Sequence, residues 1–150
     1  MKYIECPEIY EDNESSLFLA GGITGCGNWQ QELVKLLGDQ NITLINPRRK
    51  SYLFNNSTME KEQIVWEHNH LKKATAISFW FPKETLCPIT LYELGKSSMQ
   101  NKSIFVGVHP EYKRKSDIEI QTALVRPEIK IVYSLKNLSN QIKCWVNEQF

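Results

Sequence analysis

Five short apolar runs, each separated from the next by a stretch of helical periodicity, constrain this chain more than any other feature. The runs occupy residues 17–20, 42–45, 76–81, 104–108 and 129–132. They are apolar throughout instead of alternating with polar residues, the pattern of strands covered on both faces. Between them, Asn28-x-x-Gln31 opens a helix with Trp29, Leu33, Leu36 and Leu37 on one face, and Gly38 closes it. Ser57-x-x-Glu60 is expected to cap a second helix reaching about Ala74, with Ile64 and Leu71 on one side. A third helix carries Glu93, and Ser116-x-x-Glu119 caps a short fourth. Leu135, Leu138, Ile142, Trp145 and Val146 mark the last. Strands alternating with helices predict an α/β fold: one doubly wound, five-stranded parallel sheet with helices on both faces. Numbering the runs in chain order, the expected arrangement is 2-1-3-4-5, of flavodoxin or Rossmann-like type. The 150 residues suit a single domain, with the polar, acidic residues 1–15 as an N-terminal arm or minor edge element.

Charge and composition narrow the partners. The formal net charge is +1, and Lys113-Arg114-Lys115 is an isolated cluster that reads as a solvated loop. Duplex nucleic acid and an acidic membrane surface both call for a larger basic footprint. No stretch approaches the ~18 apolar residues of a membrane span. Residues 1–6 lack the apolar core of a signal peptide, and Cys6, Cys26, Cys87 and Cys144 form no C-x-x-C pair. The expectation is a cytoplasmic protein with four reduced thiols and a small molecule as partner.

In a doubly wound sheet the binding crevice lies at the carboxyl ends of the strands, where the strand order reverses. Here that point falls between the first and third runs. Gly21-Gly22-Ile23-Thr24-Gly25-Cys26-Gly27 flanks it on one side and residues 81–93 on the other, including Phe81, Pro88 and Thr90. The glycine spacing, and a second run ending in Asn46 instead of an acid, do not fit a dinucleotide fingerprint. The loop is either a ligand cradle or a plain strand-to-helix turn. Arg48 and Arg49, in Asn46-Pro47-Arg48-Arg49, can hold a phosphate or carboxylate, or form surface ion pairs.

Glu93 admits two readings. Thr90-x-x-Glu93 is a capping box, in which the glutamate ties down its own helix end. Alternatively, a carboxylate in the first turn is kept ionised by the helix dipole and can attack a sugar carbon. Glu67, four residues after Gln63 on one helical stripe, is a second acid or a solvated surface group. His68 and His70 are two apart and cannot face one metal on a helix. Tyr112 and Arg114, after the fourth run, contact a ligand or lie on a surface loop. Cys87 and Cys26 lie near the crevice, with no histidine nearby in sequence to activate a thiol.

Taken together, residues 18–23, Asn46-Pro47-Arg48-Arg49, Trp66-Glu67, Phe79-Trp80-Phe81 and residues 88–95 resemble the nucleoside 2-deoxyribosyltransferase-like family, in a divergent branch. The resemblance runs from about residue 16 to about residue 125. It implies a compact doubly wound domain that cleaves the N-glycosidic bond of a (deoxy)nucleoside or its monophosphate. It implies Glu93 as the nucleophile, and Gly21 and Gly22 beneath the sugar and base. It also implies no metal or organic cofactor and a homo-oligomer. Phe18 stands where the family has a tyrosine, and Thr75 and Cys87 where it has aspartates, leaving Glu67 and Tyr92 as candidate acid–base groups. Transfer of 2-deoxyribose between bases is the expected reaction. Hydrolysis of a nucleotide N-glycoside and non-catalytic nucleotide binding are the alternatives, and a thiol enzyme using Cys87 is a third.

Overall fold

The computed structural model describes residues 1–11, 14–51 and 55–149. Its elements are β1 (Lys2–Glu5), β2 (Ser16–Gly21), α1 (Trp29–Leu37), β3 (Thr43–Asn46), α2 (Ser57–Lys73), β4 (Ala76–Phe81), α3 (Pro88–Ser98), β5 (Ser103–Val108), α4 (Lys115–Val125) and α5 (Leu135–Gln149). The strands form one parallel sheet in the order β1-β3-β2-β4-β5. The four apolar runs that became β2 to β5 therefore neighbour one another as expected.

The fifth strand does not come from residues 129–132. Val132 makes a single bridge to Gly107, beside β5 where the fifth run was expected. The amide of Ile129 bonds to the Arg126 carbonyl, and the Lys130 carbonyl accepts from Gln141. Two backbone groups that a ladder would need are thus already engaged. The fifth strand is β1, at the opposite edge, where Ile4 aligns with Ile45. Within the polar arm Ile4, Cys6 and Tyr10 are buried and anchor it.

Side chains on successive strand residues point to opposite faces, and this divides the core. Leu17, Leu19, Leu44, Ala76 and Trp80 meet Leu33 and Leu37 of α1 and Leu138, Ile142 and Val146 of α5. Phe18, Ala20, Ile77, Phe79 and Phe81 meet Trp66 and Leu71 of α2, Leu94 of α3 and Ile118 of α4. Helices cover both faces, which is why these strands are apolar without a break. No helix among the described residues is long and apolar enough to cross a membrane.

Helix ends follow local chemistry at α1 and depart from the expected caps at α2 and α4. Asn28 caps α1 by accepting from the Gln31 amide, and Gly38 leaves it at φ 63°. In α2 the cap is Asn56, accepting from Met59, instead of Ser57. Ile64 of α2 is 59% exposed while Leu71 is buried, so the two do not share the covered side. In α4 the N-cap position is Arg114, without a side-chain cap, and Glu119 instead accepts from Tyr133.

Candidate active site

The chain leaves β2 toward β3 on one side, then crosses back over β2 to lay β4 on the other, so the strand order reverses between β2 and β4. At the carboxyl ends of these strands lies a cleft of about 400 Å³, within the range of small-molecule sites. Gly21, Gly22, Ile23 and Thr24 form one wall, and Pro47 and Arg49 follow β3. Gln63 and Glu67 enter from α2, and Thr85, Cys87, Pro88, Ile89, Thr90 and Glu93 from the β4–α3 loop and α3.

Close packing shapes the glycine wall. A Cβ on Gly21 would sit 2.3 Å from the Trp29 ring and 2.5 Å from the Trp80 carbonyl oxygen. One on Gly22 would meet the Cys87 sulfur at 2.8 Å. The Trp29 Nε1–H donates to the Gly22 carbonyl at 2.8 Å. Arg48 then closes the loop: its guanidinium donates to the carbonyls of Ile23, Cys26 and Gly27 and to Gln30 Oε1. With its donors engaged there, Arg48 holds the loop and does not line the cleft.

Glu93 is the sixth residue of α3, in the second turn and not the first. The helix begins at Pro88 behind a left-handed Cys87, φ 49°, and has no side-chain cap. Thr90-x-x-Glu93 is therefore not a capping box. Only 8% of Glu93 is exposed, and its carboxyl has no hydrogen-bond partner among the described residues. Burial, and then the charge of Glu67, push its pKa from 4.5 up to about 8, against a smaller opposing pull from Lys96. The expectation that a helix N-terminus holds this group ionised is corrected: Glu93 lies beyond the first turn, and desolvation raises its pKa.

Glu67 is also raised by burial, opposed by a hydrogen bond from Gln63. Gln63 Nε2 donates both to Glu67 Oε1 at 2.6 Å and to the Pro47 carbonyl at 2.8 Å. Its Oε1 accepts from the Cys6 thiol at 3.1 Å. Gln63 thus fixes the Glu67 carboxyl from below. The signal for it was the four-residue spacing to Glu67, which places both on one helical stripe.

Other candidates lie elsewhere. Tyr92 is 69% exposed, with Lys96 Nζ 5.7 Å from its ring centroid. Asn46 is buried, donating to the Tyr3 hydroxyl and accepting from the Arg48 amide. Phe81 packs on Tyr112 in the core at 5.3 Å, and the Tyr112 hydroxyl donates to the Leu86 carbonyl, supporting the loop that precedes α3. Arg114 pairs with Asp117 at 3.0 Å. The Thr75 hydroxyl accepts from the Ser16 amide, at the end of the sheet opposite the cleft.

The thiols are poor nucleophiles. Burial pushes Cys87 up to about 12 and raises Cys26. Among the described residues no group of three or more His, Cys, Asp or Glu side chains is placed to hold a metal ion. His70 accepts from the Tyr10 amide at Nε2 and donates from Nδ1 to the Trp66 carbonyl, a neutral structural histidine.

A doubly wound sheet with a buried and a half-buried carboxyl on one cleft at its switch point defines an α/β protein of the class that places ligand sites at that point. Residues 14–112 match the family model described as nucleoside 2-deoxyribosyltransferase like, and the chain belongs to that family. A comparison with curated proteins found no match.

Proposed function

We propose that the protein cleaves the N-glycosidic bond of a (deoxy)nucleoside or its monophosphate, with Glu93 as nucleophile and Glu67 as its proton partner. The observation that carries this reading is the pair itself: two carboxyls, one from α2 and one from α3, on a cleft at the switch point, with the charge of Glu67 disfavouring ionisation of Glu93. Such a pair titrates as a unit and retains one proton at neutral pH. In the reactive arrangement Glu93 is ionised and Glu67 holds the proton. A Glu93 oxygen bonds to the anomeric carbon as the C–N bond breaks, and the departing base takes the bonding electrons and the Glu67 proton. The hydrogen bond from Gln63 then stabilises Glu67 as an anion. A second base displaces the glycosyl ester in transfer, or water does in hydrolysis. A 2-deoxy sugar eases the step because no electron-withdrawing hydroxyl opposes the positive charge developing on the ring.

The test is base exchange between deoxynucleosides, or their monophosphates, and free bases, with wild-type protein and Glu93→Ala. Turnover in the wild type that disappears in the variant is the expected result. Binding of nucleosides or monophosphates with no turnover in the wild type would make the cleft a binding site and end the catalytic reading.

A further inference from the structure

Arg49 is the one cationic side chain lining the cleft among the described residues, and it is only partly engaged. Its side chain is 6% exposed. One terminal nitrogen donates to Glu62 Oε2 at 2.8 Å, from a carboxylate that is 52% exposed and does not line the cleft. Its Nε is buried with no hydrogen-bond partner. The Cys6 thiol interacts with the guanidinium, but it donates its hydrogen to Gln63 and is held neutral, its pKa pushed up to about 11 chiefly by burial, so it is a weak acceptor. A buried donor left unpaired is costly, and an unpaired guanidinium nitrogen on a cavity wall implies an acceptor that arrives with the ligand. Arg48 makes the contrast, because three carbonyls of the glycine loop and Gln30 of α1 already satisfy it. The first turn of α3 lies on the same cavity without a side-chain cap and adds positive potential.

We infer that Arg49 forms an anion subsite of the cleft and that the substrate is a nucleoside 5′-monophosphate, with its phosphate on this guanidinium. The inference rests on the reading of the cleft as a nucleoside site. Sugar and common bases are uncharged near neutral pH, so the anion such a ligand brings is its phosphate ester. A guanidinium offers that group a planar fork of donors, with Nε as one prong. Glu62 engages one terminal nitrogen and leaves Nε for the ligand.

The experiment compares a 2′-deoxynucleoside with its 5′-monophosphate as substrates for wild type, Arg49→Gln and Glu62→Gln. A charge-assisted contact predicts a wild-type kcat/KM about 10- to 100-fold higher for the monophosphate. That ratio should fall to near one in Arg49→Gln and persist in Glu62→Gln. A wild-type ratio near one, or a full ratio in folded Arg49→Gln, overturns the inference. Should Arg49→Gln not fold, inorganic phosphate decides with the wild type alone. It should compete with the monophosphate and spare the deoxynucleoside reaction, and equal inhibition of both, or none, overturns the subsite. If neither substrate turns over, the glycosidase reading fails separately, and calorimetry with the same two ligands still decides. Tighter binding of the monophosphate that Arg49→Gln removes supports the subsite; equal affinities, or no binding, overturn it.

Discussion

At Glu93 a single side chain carries opposite demands. A nucleophile must be ionised, yet burial and the nearby Glu67 favour its neutral form up to about pH 8. If the singly protonated pair is the reactive form, kcat/KM should fall as pH rises through about 8, where that proton is lost, as read from a pH–rate profile. Glu93→Gln should keep the fold and lose activity by about 10³-fold or more, measured as base release. A profile flat from pH 5 to 9, or a fully active glutamine variant, would remove Glu93 from the chemistry. Gln63 acts one step back, through Glu67. Gln63→Leu removes the donor that favours the Glu67 anion, so the Glu67 titration should move upward and kcat fall by about tenfold with little change in KM. A structural effect alone would lower stability without moving the pH profile.

At the scale of elements, the cleft depends on how closely the β2–α1 loop and the β4–α3 loop approach. Gly21 is the tightest point, with an indole ring and a carbonyl oxygen where a side chain would begin. Gly21→Ala should destabilise the protein by about 1–3 kcal/mol in chemical denaturation, because backbone as well as the Trp29 ring must shift. The same kind of contact binds the N-terminal segment to α2 through His70. Burial lowers the His70 pKa, so its neutral form contributes stability that is complete above the unfolded pKa of about 6.5 and is lost as pH falls. The Tyr10 amide, bonded to its Nε2, should therefore exchange with deuterium faster at pH 5 than at pH 7, after correction for intrinsic rates.

For the whole molecule the buried carboxyl works in the opposite sense. Glu93 is protonated in the folded state up to about 8 but ionises in the unfolded chain near 4.5. Between these values the folded state binds more protons, so stability from this group is complete below about pH 4.5 and declines as pH rises to about 8. The cost is on the order of a few kcal/mol. Glu93→Gln should accordingly raise Tm more at pH 8 than at pH 5. An equal gain at both pH values would show that the Glu93 side chain is not buried as a neutral acid.

Periodicity made most of the architecture readable. Uninterrupted apolar runs of strand length alternating with amphipathic segments leave few arrangements besides a covered parallel sheet, and its switch point places a crevice between β2 and β4. Local pattern failed where long-range partners decided the outcome. Residues 129–132 look like a strand, but only Val132 bonds to β5, while the Ile129 amide bonds within a turn and the Lys130 carbonyl accepts from Gln141 of α5. Lys2–Glu5 lies in the stretch read as an arm or a minor edge element, and pairing along the free edge of β3 decides for the second. The same division runs through the site. The residue types and their order pointed to Glu93 and Glu67, and the glycine loop to the wall beside them. Only tertiary structure could separate Arg48 from Arg49, which are neighbours in sequence with identical side chains. Likewise it alone moved Glu93 from an ionised place in the first turn to a desolvated wall in the second. A hydrogen-bond partner and the loss of water are properties of the folded surroundings, and no spacing of residues along a chain encodes them.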